Sequence, residues 1–309
     1  MRPLHGFIAG GLVVATALFG VCAASAQTPA SGPLPVQNAL TGTLKTIRDS
    51  GAIRIGYREA SFPFSYVVSG RPIGYSIDLC RAIADEIVRE LDDRPTKLEF
   101  VKVTSEDRLQ AVASGKVDLE CGSTTANTER AKQVAFSPIM FVAGTKLMVR
   151  KNSGIRSYRD LGGKIVVVTA GTTNEQVMKA LNEKFNVGMT LISARDHGES
   201  YSLVATGKAD AFATDDVLLY GFIARNKAEA DLSVVGDFLS YDPYGIMFRK
   251  DDAPMAAAVR AAFEKMAANR DLSEIYHRWF QRATPTGENL DLAMSPQLSE
   301  IFRTMGLED

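Results

Sequence analysis

Ala113-Ser114-Gly115-Lys116-Val117-Asp118 recurs further along the chain as Ala205-Thr206-Gly207-Lys208-Ala209-Asp210. Each copy follows a strand pattern, a polar loop and a short helical pattern, so the repeat marks two similar units. Aligning the copies pairs a strand at Ile53 to Tyr57 with one at Ile165 to Val168, and a strand at Leu98 to Val103 with one at Met189 to Ile192. Strand and helix alternate in both, which predicts an α/β chain of two lobes.

Working outward from the repeat, Phe141 to Lys151 and Leu239 to Lys250 read as strand-like crossings between the lobes. Two crossings are needed because the chain leaves the first lobe and later returns to it. The expected division is therefore 44–142 for the first lobe, 143–241 for the second, and 242–309 for the return to the first. Between Tyr75 and Leu91 the residues Ile77, Cys80, Ile83, Ala84, Ile87, Val88 and Leu91 fall at helical spacing and predict a helix with one face on a sheet. A long amphipathic helix is expected from Ala256 to Phe280, with Val259, Phe263, Met266, Ile275 and Trp279 inward. Ser295-Pro296 has the form of an N-cap with proline at the first helical position.

Met1 to Ala26 carries Arg2, an apolar run from Phe7 to Val21 and a small-residue ending, the layout of a cleaved secretory signal peptide. Residues 27–43 read as a flexible leader. Signal removal takes away one base and no acid, leaving 34 basic against 36 acidic residues, a formal charge of −2. That balance gives no support to a nucleic-acid partner, and no other stretch is long and apolar enough to insert in a membrane. Cys80 and Cys121 then remain as an even pair in an oxidising compartment. They are expected to form a disulfide, the alternative being two buried thiols.

The loops at the carboxyl ends of the strands are where ligands collect in open α/β sheets. Here they carry Arg58, Ser105, Arg108 and Ser123 to Arg130 in the first lobe, and Thr173, His197 and Asp215 in the second. The stretch Cys121-Gly122-Ser123-Thr124-Thr125 followed by Arg130 suits a carboxylate: hydroxyl donors, amides at a helix start and a planar guanidinium fork. Three arginines against one aspartate make a net positive site that favours an anion also bearing a cation. An acidic α-amino acid fits, with Arg130, Ser123 and Thr125 on its α-carboxylate, Asp215 on its ammonium, and Arg58 and Arg108 on a side-chain carboxylate. His197 reads as a further donor to that second carboxylate, and Thr173 as an amino-acid contact. Gly171-Thr172-Thr173 lacks the lysine of a phosphate-binding loop, His277 beside Trp279 reads as structural, and no metal-ligand spacing occurs. Ser105 and Ser123 have no base arranged beside them for nucleophilic catalysis.

From about Leu44 onward the chain resembles the type II periplasmic solute-binding proteins (bacterial extracellular solute-binding family 3), specifically the glutamate/aspartate-binding subunits of ABC importers. The resemblance rests on Tyr57-Arg58-Glu59, Pro63-Phe64-Ser65-Tyr66, Cys121 to Thr125 and Glu129-Arg130, with Val166 to Thr173, Ile192 to Gly198 and Asp215-Asp216 in the second lobe. It implies a two-lobed type II fold without cofactor or metal. It further implies a monomeric, periplasmic, non-enzymatic protein that closes on L-glutamate or L-aspartate and presents them to a membrane permease. In such proteins residues like Arg130 and Asp215 hold the α-carboxylate and amine, while Arg58, Arg108 and His197 mark acidic specificity. A dehydratase of the same fold acting on arogenate or prephenate is the rival reading, and a ligand-presenting partner of a chemoreceptor a third.

Overall fold

A computed structural model describes residues 40–306; the expected signal peptide and most of the expected leader lie outside the described residues. Helix α1 (Gly42–Ser50) already begins inside the segment expected to be leader, because Leu44 and Ile47 share an inward face. The Thr43 amide also donates to the Asp252 carboxylate at 2.7 Å. The first lobe continues through β1 (Ala52–Tyr57), the small hairpin strands β2 (Ala60–Ser61), β3 (Ser65–Val68) and β4 (Arg71–Ile73), and α2 (Tyr75–Glu90). Then follow β5 (Lys97–Lys102), α3 (Arg108–Ala113), β6 (Leu119–Glu120), β7 (Val134–Phe136) and the crossing strand β8 (Phe141–Ala143). Ile77, Cys80, Ile83, Ala84 and Ile87 of α2 are buried, as their spacing predicts.

The second lobe holds β9 (Thr145–Arg150), β10 (Ile165–Thr169), α4 (Thr173–Phe185), β11 (Thr190–Ala194), α5 (His197–Ala205), β12 (Ala211–Asp215), α6 (Asp216–Arg225) and β13 (Leu232–Val235). The chain returns through β14 (Asp242–Tyr244) and β15 (Met247–Arg249), then α7 (Ala253–Ala268), α8 (Asp271–Tyr276) and α9 (Pro296–Thr304). The two sheets run β5-β1-β6-β15-β7 and β11-β10-β12-β9-β13. In each, the first three strands are parallel and the fourth is antiparallel. That fourth strand is the one the chain forms just after crossing over, so each lobe is completed by its own crossing. The crossings themselves pair antiparallel, Asp242 opposite Ala143 and Tyr244 opposite Phe141.

The repeat that announces the lobes does the same work in each. Gly115 and Gly207 take left-handed φ of 72° and 78° to end the helix, a conformation glycine adopts without a Cβ penalty. The following aspartate then locks the next strand in register. Asp118 accepts the Arg54 amide at 2.8 Å and donates its own amide to Arg54 O, while Asp210 makes the same exchange with Ile165.

The expected helix from Ala256 to Phe280 is broken. Asn269 ends α7 and Arg270 is left-handed at φ 65°, so the chain turns before α8. Leu272, Ile275 and Trp279 stay buried across the turn, which is why apolar spacing alone does not register it. Under the crossing strands lies an aromatic cluster: Phe64 meets Tyr75, Phe141, Tyr244 and Phe280 with ring centroids 5.9, 5.0, 5.1 and 5.7 Å away. Cys80 and Cys121 form a disulfide, tying α2 to the end of β6. Among the described residues no helix is long and apolar enough to cross a membrane.

Candidate functional site

Every sequence-predicted site residue lies at the carboxyl end of a strand, in the loop that follows it or at the start of the next helix. Arg58 follows β1, Ser105 and Arg108 follow β5, and Ser123 to Arg130 follow β6; Thr173, His197 and Asp215 stand where α4, α5 and α6 begin. Arg108 and His197 occupy matching positions, each opening the helix after the outer parallel strand of its lobe. Thr173 is half-buried, and the other eight are between 1% and 8% exposed. Ordinary polar residues at such burial need partners, and several here have none.

Arg58 Nη2 reaches Ser105 Oγ at 3.5 Å, but its Nη1 has no partner. Arg108 Nη1 donates to Ser123 O at 3.2 Å and Thr124 Oγ1 at 2.6 Å, leaving Nε unpartnered. Ser123 Oγ is likewise without a partner. Arg130 Nη1 donates to Thr125 O at 2.9 Å, and its Nη2 crosses to the second lobe to meet Gly171 O at 3.4 Å. Burial, reinforced by the charge of Arg108, lowers the Arg58 guanidinium to about 10 and that of Arg130 to about 9. These cations are held at a desolvation cost that an anion between them offsets.

On the second lobe, His197 Nδ1 shares a 2.8 Å hydrogen bond with Thr169 Oγ1, which fixes the ring. Burial, then the charges of Arg58 and Arg108, hold its pKa well below the ordinary histidine value, so the ring is neutral. Asp215 accepts from Asn174 Nδ2 at 2.8 Å and from the Tyr244 hydroxyl. Burial and the neighbouring Asp242 nevertheless raise its pKa to about 7. The Thr125 and Thr173 hydroxyls lie 3.2 Å apart, and each donates to Asp242 Oδ1 at 3.1 Å.

Three residues that sequence reasoning passed over belong to this constellation. Glu120 is fully buried and accepts from Thr124 Oγ1 at 2.7 Å. Asp242, 2% exposed, sits on the crossing strand β14, and Asn174 links Asp215 to Thr145. The expectation of a net positive site is thereby corrected, since Glu120, Asp215 and Asp242 stand against Arg58, Arg108 and Arg130. A signal for Glu120 was present: it is an acid inside the strand run Val117 to Cys121. Asp242 had none, because Tyr241-Asp242-Pro243 reads as turn chemistry. A surface cavity of about 550 Å³ beside Arg150, Lys151, Tyr201 and Lys227 contains none of these residues.

The chain is similar to known proteins along most of its length. Residues 53–282 match the family model described as bacterial extracellular solute-binding proteins, family 3. The L-glutamate/L-aspartate-binding protein of Pseudomonas aeruginosa is 45% identical over 86% of this chain and 89% of that protein. The glutamate/aspartate import solute-binding protein of Escherichia coli (strain K12) is 34% identical over 94% and 95%. Among solved structures, an ancestral arginine-binding protein bound to glutamine superposes with a TM-score of 0.67 at 31% identity, covering 75% of this chain and 99% of that one. With its twin sheets, paired crossings and polar cleft, the chain belongs to the bacterial extracellular solute-binding proteins, family 3, and has their type II periplasmic-binding-protein fold.

Proposed function

We propose that this protein captures L-glutamate or L-aspartate between its lobes and hands them to the permease of an ABC importer. It is a binding protein rather than an enzyme, in keeping with relatives named for binding and import. In this reading it works as a periplasmic monomer after loss of residues 1–26, with lobes divided at 44–142, 143–241 and 242–309. The observation that carries the reading is the set of buried donors without partners, Arg58 Nη1, Arg108 Nε and Ser123 Oγ, in a cleft that also holds the Asp215 carboxylate. Spare donors call for carboxylate oxygens, and a buried acid beside them calls for an ammonium.

Arg130, Ser123 and Thr125 take the α-carboxylate in this scheme, Asp215 takes the amine, and Thr173 lies against the amino-acid end. Arg58, Arg108 and His197, with Ser105 steadying Arg58, take the side-chain carboxylate. A neutral ligand such as glutamine turns an amide toward two guanidiniums, leaving one donor facing another. Isothermal titration of unfolded and refolded, ligand-free protein tests this. Glutamate and aspartate are expected to bind at least about tenfold more tightly than glutamine or asparagine. Preference for an amide, a basic amino acid or a sugar would sink the assignment.

A further inference from the structure

Glu120 is a charged group of the cleft for which ligand contact offers no role. It ends β6, the middle strand of its sheet, and has no exposed surface. Its Oε1 lies under Gly122, where a Cβ would come within 2.4 Å, and has no partner. Its Oε2 accepts from Thr124, whose hydroxyl in turn accepts from Arg108 Nη1, so the contact with Arg108 is relayed. Its negative charge acts on Arg58, Arg108 and Arg130 alike.

We propose that Glu120 is a positioning residue that sets how strongly the site discriminates by charge. It holds Arg108 through Thr124, and it cancels one guanidinium charge, so an acidic ligand meets a balanced site rather than a net positive one. The proposal rests on the acidic amino-acid reading above. With Asp215 paired to the ligand's ammonium, the side-chain carboxylate is the one charge of glutamate that glutamine lacks. The potential at that carboxylate is made less positive by Glu120, which restrains the preference for glutamate. A binding protein that must surrender its cargo is served by such restraint.

Glu120→Gln separates charge from geometry, because the amide oxygen still accepts from Thr124 while the charge is gone. Titration with glutamate and glutamine is expected to show their affinity ratio widening by about tenfold relative to the parent. Glutamine affinity itself is expected to change by less than about threefold. A purely structural role would weaken both ligands together and leave the ratio unmoved. Where the variant folds only when ligated, urea midpoints measured against the concentration of each ligand yield both constants through linkage. A parent without glutamate preference overturns the functional reading itself. A parent that prefers glutamate, combined with an unchanged or narrower ratio in Glu120→Gln, overturns the role of Glu120 alone.

Discussion

At the scale of single residues, Asp215 couples chemistry to stability. Its pKa of about 7 stands above the ordinary value of 3.8 because burial and then Asp242 disfavour the charge more than Tyr244 and Asn174 support it. A raised carboxyl binds more protons in the folded than in the unfolded state between those two values. Its contribution to folding is therefore full below about 3.8, declines as pH rises toward about 7, and is flat above. A ligand ammonium reverses the penalty by supplying the missing positive charge. Stabilisation by glutamate is thus expected to grow as pH rises from about 5 to 8, which thermal melts with and without ligand across that range will check. Asp215→Asn should remove the pH window and raise the unliganded stability at pH 7.5 by up to about 4 kcal/mol, the shift from 3.8 to about 7 being worth about 1.4 per pKa unit. The same change should abolish measurable binding. A less stable Asn variant at that pH would show that Asp215 is not held against its preference.

At the scale of elements, the loop that carries Ser123 to Arg130 is fastened from behind by α2. Ser76 of that helix donates to Gly122 O at 2.7 Å, and four residues on Cys80 bridges to Cys121. The bridge spans a sequence separation of 41, for which chain entropy gives about 4 kcal/mol. Replacing both cysteines by alanine should lower the urea-denaturation stability by about 2–4 kcal/mol, and dithiothreitol should do so in the parent but not in the variant. A parent equally stable with and without reductant would refute the fastening. This pairing was legible in the sequence because removal of the expected signal peptide leaves two cysteines, Cys80 and Cys121. So was the face of α2, because 3.6-residue spacing is written in single side chains. The turn at Asn269 and Arg270 was not, since the apolar period runs through it. Nor was the charge balance of the cleft, because Asp242 reads as turn chemistry and an acid inside a strand run, as Glu120 is, does not show which groups the fold will bring beside it.

At the scale of the molecule, the repeat disclosed two lobes, but only the three-dimensional arrangement discloses how they meet. Arg130 reaches Gly171 O, Thr125 meets Thr173, and Asp242 on the crossing strand accepts from both threonines, so first lobe, second lobe and crossing share one network. Such contacts exist only when the lobes are together, and their energy therefore acts on closure rather than on the folding of either lobe. Gly171 is a point of close approach in that meeting. A Cβ there would lie 2.8 Å from Glu106 Cα and 2.9 Å from Ser105 O, both backbone atoms that cannot swing aside. Its φ of 72° adds a strain of about 1 kcal/mol for alanine. Gly171→Ala should therefore cost the unliganded protein only about 1 kcal/mol while weakening glutamate binding by at least about tenfold. It should also diminish the compaction expected in small-angle X-ray scattering when glutamate is added. The backbone strain travels with the second lobe whether or not the lobes touch, whereas the steric clash arises only on contact. Full affinity with undiminished compaction in Gly171→Ala would mean that the ligand-bound form does not bring Gly171 against Ser105 and Glu106.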